Sequence, residues 1–297
     1  MGCGFMNGVM ELEFWMRVAI GEAEESLREG NKGFGAVIIK DGEMVAAAHD
    51  YEETEGDATS HAEINAIKIA SQKIGKNLNG CILISTSEPC PMCAFAIAWS
   101  GISEIAFGFS IQDALAQGRR RIAFQCVEAF DKAGTEVIVH KGILRRECAI
   151  LYRADVRSEI NHLRNATDED LKALNADSIA RRTAWFCQNK AGLNIGDSHL
   201  LDTAHRLLIT RFHAAEVEMP VVNRTEKQIT FHSMNFCPTL EACRILRLDT
   251  RHVCKLLNEE STDMLVKKID SRLRFSRNYN NLRPYSSFCE ESISIED

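Results

Sequence analysis

The 297-residue sequence lacks any apolar run of about 18 residues, the minimum for a membrane-spanning helix. Its N-terminus also lacks the basic region and clean apolar core of a secretion signal. Eleven cysteines are present. Without a secretion signal they are expected to be reduced thiols, some of them metal ligands, rather than a disulfide framework. We therefore expect a cytoplasmic protein with no membrane partner.

The sequence also lacks an excess of positive charge. Residues 1–155 hold 15 Lys and Arg against 22 Asp and Glu, and residues 156–297 hold 20 of each. Neither half has the basic excess of proteins that bind a nucleic-acid backbone, so such a partner is not expected. The one dense basic stretch is Arg119, Arg120 and Arg121, and three arginines on a helix favour a solvated face over a phosphate site.

The length predicts two domains, of which residues 1–157 form the first. Apolar spacing and turn residues predict, in chain order, helix 9–29, strands 35–40 and 44–49, helix 60–74, strand 81–86, helix 91–101, strand 104–109, helix 112–133, strand 136–140 and helix 144–152. Ser60 is expected to cap its helix. Alternating strands and helices predict an α/β fold, a three-layer α/β/α domain with a mixed, mostly parallel five-stranded sheet.

Residues 158–297 are predicted to form a C-terminal accessory domain of unknown role. Its pattern predicts an α+β, mostly helical fold, with a strand within 228–236 and a helix that begins at Pro238. Four cysteines of this half could bind a second metal together with His232: Cys237, Cys243, Cys254 and Cys289. Their spacings match no zinc ribbon or finger, so buried thiols are favoured.

Two short motifs of the first half carry the residue types of a metal centre. HAE contributes His61 and Glu63, and PCPMC contributes Cys90 and Cys93. Thiolates and a neutral imidazole are the usual ligands of zinc, and three protein ligands leave the fourth position open for water. We predict one Zn²⁺ per chain with a bound water, held by His61, Cys90 and Cys93. Glu63 is then the predicted catalytic proton shuttle.

The spacing H-x-E…P-C-x-x-C is the signature of zinc nucleobase deaminases. The stretches FGAVIIKDG (34–42), SEPCPMCAFAIAW (87–99) and GILRREC (142–148) are similar to the same group of proteins. Over about residues 10–153 the chain resembles the cytidine/deoxycytidylate deaminase superfamily. Within it, the resemblance is to the bacterial branch that holds guanine deaminases and tRNA adenosine deaminases. It implies a hydrolase that releases ammonia from a nucleobase.

The resemblance implies further contacts and a partner. Within the matching motifs, the residues expected to bind substrate are Phe34, Ala62, Glu88 and Trp99. Catalytic domains of this superfamily associate, commonly as dimers whose neighbouring subunit helps to wall the pocket. We therefore expect a homodimer, for which the apolar helix from Phe95 to Trp99 is a candidate contact.

At one position the sequence departs from the branch it resembles. Relatives usually carry asparagine eleven residues before the zinc histidine, where the amide contacts the substrate ring, but this chain has Asp50. An amide donates and accepts, whereas an ionised carboxylate only accepts. If Asp50 points into the pocket, it favours a ring that presents N–H donors at that edge. Aminopurines such as guanine, aminopterins and aminotriazines fit this requirement better than cytosine or adenosine.

Three functions remain open from the sequence. The first is a deaminase of a free base or nucleoside, with a guanine-like ring as the first choice, and the acidic charge of the catalytic half favours it. The second is adenosine-to-inosine editing of tRNA, which the GILRREC ending favours and the further 140 residues of net-zero charge disfavour. The third is a catalytically idle binding module, against which the intact set of ligands and Glu63 argues.

Overall fold

A computed structural model of the protein describes residues 3–193 and 199–296. The chain divides into two compact units, residues 1–157 and 158–297. Among the described residues, no helix is both long enough and apolar enough to cross a bilayer.

The first unit is built on a mixed five-stranded sheet in the order β2-β1-β3-β4-β5. Its strands are β1 (Gly35–Lys40), β2 (Glu43–His49), β3 (Cys81–Ser87), β4 (Glu104–Phe109) and β5 (Ile138–Lys141). β1 pairs antiparallel with both β2 and β3, while β3–β4 and β4–β5 are parallel pairs. Four strands therefore run in one direction and only β1 opposes them, which confirms the predicted mostly parallel sheet.

Helices cover both faces of this sheet. They are α1 (Cys3–Glu29), α2 (Glu52–Glu55), α3 (Ala62–Ile74), α4 (Pro91–Ser100), α5 (Ile111–Ala116), α6 (Cys126–Ala133) and α7 (Arg145–Tyr152). α1 and α7 pack on one face, while α3, α4 and α6 form a continuous layer on the other. The three-layer α/β/α arrangement is confirmed. α1 approaches β1 so closely that a Cβ on Gly35 would lie 2.0 Å from the carbonyl oxygen of Ala19.

Two predicted helix boundaries are wrong. The single helix expected over 112–133 is two helices, α5 and α6, because Gly118 adopts a positive φ of 70° just after α5. A capping box of Gln125 and Glu128 then begins α6. At α3, the N-cap is His61 rather than Ser60, whose hydroxyl instead donates to Glu55. The metal-ligand candidate itself therefore occupies the helix terminus.

The second unit contains an antiparallel four-stranded sheet in the order β6-β7-β9-β8. Its strands are β6 (Val221–Arg224), β7 (Gln228–Ser233), β8 (Leu273–Arg277) and β9 (Cys289–Ile295). The helices from the boundary onward are α8 (Ala154–Leu163), α9 (Asp168–Asn189), α10 (Leu200–Phe212), α11 (Pro238–Leu246), α12 (Thr250–Cys254) and α13 (Glu260–Val266). The predicted mostly helical α+β character is confirmed.

Two of the four cysteines considered for a second metal are packed thiols, whereas Cys237 and Cys289 are half-buried. Cys243 and Cys254 are buried, and burial raises the pKa of Cys243 to about 12. Within residues 3–193 and 199–296, the groups of at least three close metal-ligand atoms lie in the first unit. No second metal centre is therefore formed by the described cysteines of this unit.

Candidate active site

The candidate metal ligands meet at the start of two helices. His61 is the N-cap of α3 and Cys90 is the N-cap of α4, both with extended backbone conformations. Pro91 occupies the first position of α4, where its missing N–H costs nothing. One turn of helix then carries Cys93 back beside Cys90. The strand β3 runs directly into this turn and so positions both sulfurs at one edge of the sheet.

The three candidate ligand atoms form a nearly equilateral triangle. The Nδ1 atom of His61 lies 3.6 Å from Cys90 Sγ and 3.5 Å from Cys93 Sγ, and the two sulfurs are 3.6 Å apart. A tetrahedral zinc with bonds of about 2.3 Å to sulfur and about 2.0 Å to nitrogen needs ligand atoms roughly 3.5–3.8 Å apart. The donor types and their spacing therefore fit zinc.

Charge is shared unequally within this triangle. The hydrogen bond between the two sulfurs lowers the pKa of Cys90 to about 4, and the hydrogen bond to His61 acts in the same direction. The same sulfur–sulfur bond, together with burial, raises the pKa of Cys93. A thiolate beside a second thiol and an imidazole is a metal-binding environment rather than an ordinary core.

Glu63 is buried beside the triangle on the first turn of α3. Its Oε1 atom accepts a hydrogen bond of 3.1 Å from the hydroxyl of Ser85, a residue of β3. Burial raises the pKa of Glu63, and the nearby Cys90 thiolate adds to this shift. The structure thus places a carboxyl group next to the triangle, held by the Ser85 hydroxyl and the Cys93 thiol and shielded from bulk water.

Asp50 follows β2 and is completely buried. Its Oδ1 atom accepts from the backbone amides of Lys32 and Glu52, at 3.3 Å and 3.4 Å. Its Oδ2 atom is buried and has no hydrogen-bond partner among the described residues. Burial raises the pKa of Asp50, whereas the two amides and His61 oppose that shift. Asp50, Glu52 and His61 have ligand atoms within 4.8 Å of one another.

A cavity of about 520 Å³ opens beside His61. This volume is within the range of about 300–1,000 Å³ that is typical of small-molecule sites. The lining residues are Lys32, Phe34, Glu52, His61, Arg119, Arg120, Arg121, Tyr152, Ala154 and Arg157. Phe34, an expected substrate contact, lies here and stacks on Tyr152 with ring centroids 5.2 Å apart.

The arginine run lies in this cavity rather than on the solvated helix face that we predicted. Arg119, Arg120 and Arg121 belong to the loop between α5 and α6. The interpretation from sequence failed because it placed them on a helix. Two features of the sequence indicate that these arginines lie between two helices. Gly118, directly before the run, is a helix-ending residue, and the Gln-x-x-Glu pattern that begins at Gln125 marks the start of α6.

Three further residues expected to contact substrate lie elsewhere or serve the backbone. Both carboxylate oxygens of Glu88 accept from backbone amides, those of Ile111 at 2.9 Å and Cys126 at 3.1 Å. Glu88 therefore ties together the starts of α5 and α6, and we no longer assign it to substrate. Trp99 is 90% exposed on α4 and does not line the cavity. Ala62 is buried at the first position of α3.

Comparison with known proteins identifies the first unit. Residues 10–109 match the family model described as the cytidine and deoxycytidylate deaminase zinc-binding region. A guanine deaminase from Bacillus subtilis is 38% identical over 111 residues, which are 37% of this chain and 71% of that protein. This chain belongs to the cytidine and deoxycytidylate deaminase family. The predicted superfamily and branch are confirmed.

Other members of the deaminase family are similar at comparable levels. A tRNA-specific adenosine deaminase from Aquifex aeolicus is 40% identical over 99 residues, which are 33% of this chain and 66% of that protein. The chain thus spans slightly less than two thirds of that relative's length. A structure solved in a study of A-to-I editing by tRNA:A34 deaminases is 28% identical, covers 46% of this chain and 98% of that one, and has a TM-score of 0.41.

Zinc is the metal of this deaminase region, as predicted. When bound, it supplies a Lewis acid that activates water at neutral pH. The residues whose spacing and chemistry fit it are His61, Cys90 and Cys93. Glu52 lies behind the imidazole, with its Oε2 atom 3.8 Å from His61 Nε2, a distance longer than a hydrogen bond.

Proposed function

We propose that this protein is a zinc-dependent hydrolytic deaminase acting on the exocyclic amine of a nucleobase. In this reaction water adds to the ring carbon that bears the amine, the carbon–nitrogen bond breaks, and ammonia leaves as a carbonyl forms. The observation that carries the proposal is the triangle of His61, Cys90 and Cys93 with the buried carboxyl group of Glu63 beside it. An ordinary core does not assemble these four groups.

We assign the proton transfers to Glu63. The Ser85 hydroxyl and the Cys93 thiol hold this carboxyl group in place, and it can accept a proton from water and return it to the leaving nitrogen. Its place on the first turn of α3 keeps it close to the ligands without joining their triangle. Purified protein that contains zinc and releases ammonia from at least one base, nucleoside or nucleotide would support this function. Zinc-loaded protein that releases none from a broad panel would contradict it.

A guanine-like ring is our first candidate for the base. The support is Asp50, which does not line the cavity but has a carboxylate oxygen within 4.8 Å of a ring nitrogen of His61. Its buried Oδ2 atom is an acceptor without a partner among the described residues. A ring N–H placed against it would satisfy the carboxylate, whereas a ring acceptor would leave two acceptors facing each other. The second candidate is adenosine in tRNA, which is favoured by the similarity to the Aquifex aeolicus relative.

Replacing Asp50 with asparagine should change the choice of ring. The substituted amide would keep an acceptor for the backbone N–H groups of Lys32 and Glu52 and would present an NH₂ group in place of Oδ2. An unpaired buried polar group costs about 1–3 kcal/mol, so we expect the kcat/KM ratio of guanine-type to adenine-type substrates to fall at least about tenfold.

The matched control is Asp41→Asn. Asp41 is exposed in the β1–β2 turn, at the opposite end of the hairpin from Asp50, and its φ of 51° suits asparagine. This variant should leave the ratio unchanged. An equal ratio in Asp50→Asn and the unaltered protein would remove the residue-level support for a guanine-like ring.

We also propose that two copies of the chain associate through α4. Phe95 is 38% exposed and Trp99 is 90% exposed on this helix, although apolar side chains of this size are seldom left open to water together. Sedimentation at micromolar concentration should show a dimer of the 33.3 kDa chain, and Trp99→Glu should shift it towards monomer. A strict monomer before substitution would contradict this assembly.

A further inference from the structure

The cavity beside His61 is lined on one side by cationic side chains. These are Lys32, Arg119, Arg120, Arg121 and Arg157. The acidic lining residue is Glu52, which forms an ion pair with Lys32. This concentration of positive charge contrasts with residues 1–155 as a whole, where acidic residues outnumber basic ones by 22 to 15. The cavity is therefore electropositive within an acidic unit.

The three consecutive arginines are not neutralised by carboxylates. Lys32 is paired with Glu52 and Glu53. Within the described parts of the chain, Arg119, Arg120 and Arg121 form no ion pair with an acidic side chain. Among the described residues, the hydrogen-bond partner of Arg121 is the Ser87 hydroxyl, at the long distance of 3.4 Å. Their guanidinium groups thus keep their full capacity to bind an anion.

Two aromatic rings hold the outer arginines in place. The guanidinium carbon of Arg119 lies 5.0 Å from the ring centroid of Tyr152, and that of Arg121 lies 4.6 Å from the ring centroid of Phe34. The two rings stack on each other, and the Tyr152 hydroxyl is tied to Thr86 at 2.7 Å. A guanidinium group stacked on an aromatic ring can still bind a ligand, because its N–H groups point outward in its own plane. The two rings therefore preorganise the arginines for binding.

Burial and neighbouring positive charges disfavour the charged form of Arg119. Its Nη1 atom is buried and has no hydrogen-bond partner among the described residues. Burial lowers the pKa of Arg119 to about 10, and repulsion from Arg157 and Arg121 contributes to that shift. An anion with several oxygens would accept a hydrogen bond from this buried donor and would offset the repulsion between the arginines.

We propose that this cavity binds the phosphate of a mononucleotide, so that the substrate is a nucleoside monophosphate rather than a free base. The proposal rests on the deaminase function above, because His61 and the arginines line one cavity. Its volume of about 520 Å³ suits a small molecule. Outside this cavity acidic residues outnumber basic ones in the first unit, whereas RNA binding requires a basic surface that follows many phosphates. A mononucleotide therefore fits better than RNA.

The test measures binding separately from turnover. Zinc-loaded Glu63→Gln protein is titrated by calorimetry with guanosine, guanosine 5′-monophosphate, and an RNA hairpin with a single-stranded loop. We expect the monophosphate to bind at least tenfold more tightly than the nucleoside. Adding Arg119→Gln and Arg121→Gln should reduce that preference to less than threefold, and retained zinc and thermal midpoint would show that the fold is intact.

Two further variants make the comparison specific. Arg17→Gln removes one positive charge from an exposed position on α1, outside the cavity, and should leave the preference at its original value. Arg121→Lys keeps the charge but loses the flat stacked group, so it should retain part of the preference. If the double variant fails to fold, the graded effect of the single variants provides the test.

Each outcome bears on the proposal. Equal affinity for guanosine and its monophosphate, or an equal loss for both in the arginine variants, would overturn it. Tighter binding of the RNA hairpin than of the monophosphate would overturn it in favour of an RNA substrate. Arginine-dependent binding of the monophosphate without ammonia release by the unaltered protein would leave the phosphate site standing and contradict the deaminase function instead.

Discussion

Glu63→Gln should lose nearly all ammonia release while keeping the fold and the zinc. General acid–base catalysis by a positioned side chain contributes about 10²–10⁴-fold, and here one group serves both the attack of water and the departure of ammonia. Glutamine has the same shape and can still accept from the Ser85 hydroxyl, so packing at this buried position is preserved. Steady-state ammonia release, with zinc content measured on the same sample, checks this expectation.

The control for this substitution is Glu43→Gln. Glu43 is exposed on β2, away from the ligand triangle, so its change should leave turnover near that of the unaltered protein. Near-normal turnover in Glu63→Gln would show that another group moves the proton. Loss of zinc from Glu63→Gln would instead show that Glu63 holds the metal.

Cys93→Ala should lose the metal itself. Even changes to residues that merely support metal ligands cost about 10–100-fold in affinity, so the loss of one of three ligands should cost more. Metal binding also contributes to folding free energy, so we expect a lower thermal midpoint as well. Metal analysis after gel filtration should fall from one zinc per chain to near zero, and Cys90→Ala should behave in the same way.

Cys81→Ala separates loss of a ligand from loss of a buried thiol. Cys81 is fully buried in the same sheet, in the apolar core beneath α3 and α4, and belongs to neither group of close ligand atoms. Its removal should lower stability by the cost of a small cavity but leave one zinc per chain. Full zinc occupancy in Cys90→Ala or Cys93→Ala would remove that cysteine from the ligand set.

The cationic cavity changes how the family resemblance applies to this chain. Its two aromatic lining residues, Phe34 and Tyr152, lie directly before β1 and at the end of α7. Three of its arginines, Arg119 to Arg121, come from the loop that separates α5 from α6. These segments are 30 to more than 110 residues apart in the chain. Loops between the elements of a rigid scaffold commonly carry specificity, and this loop supplies charge at a site whose metal ligands are typical of the family.

The sequence by itself determined the family, the sheet and the residue types of the metal centre. His61, Glu63, Cys90 and Cys93 fall in two short motifs, and local patterns sufficed to place each motif at the start of a helix. Strand patterns and hairpin turns are local as well, because they follow from neighbouring side chains. The antiparallel β1–β2 pair could be predicted for this reason, and the parallel strands because a helix separates each from the next.

Only the tertiary structure decided which residues surround the site. Glu88 lies within a family motif, yet backbone amides of two distant helices occupy its carboxylate. Arg119 and Arg121 look like surface residues until Tyr152 and Phe34 are placed beneath them. Such contacts depend on the packing of segments that are distant in sequence, and no local period or propensity encodes them. The chemistry of the metal centre was therefore readable from the chain, whereas the charge of its cavity was not.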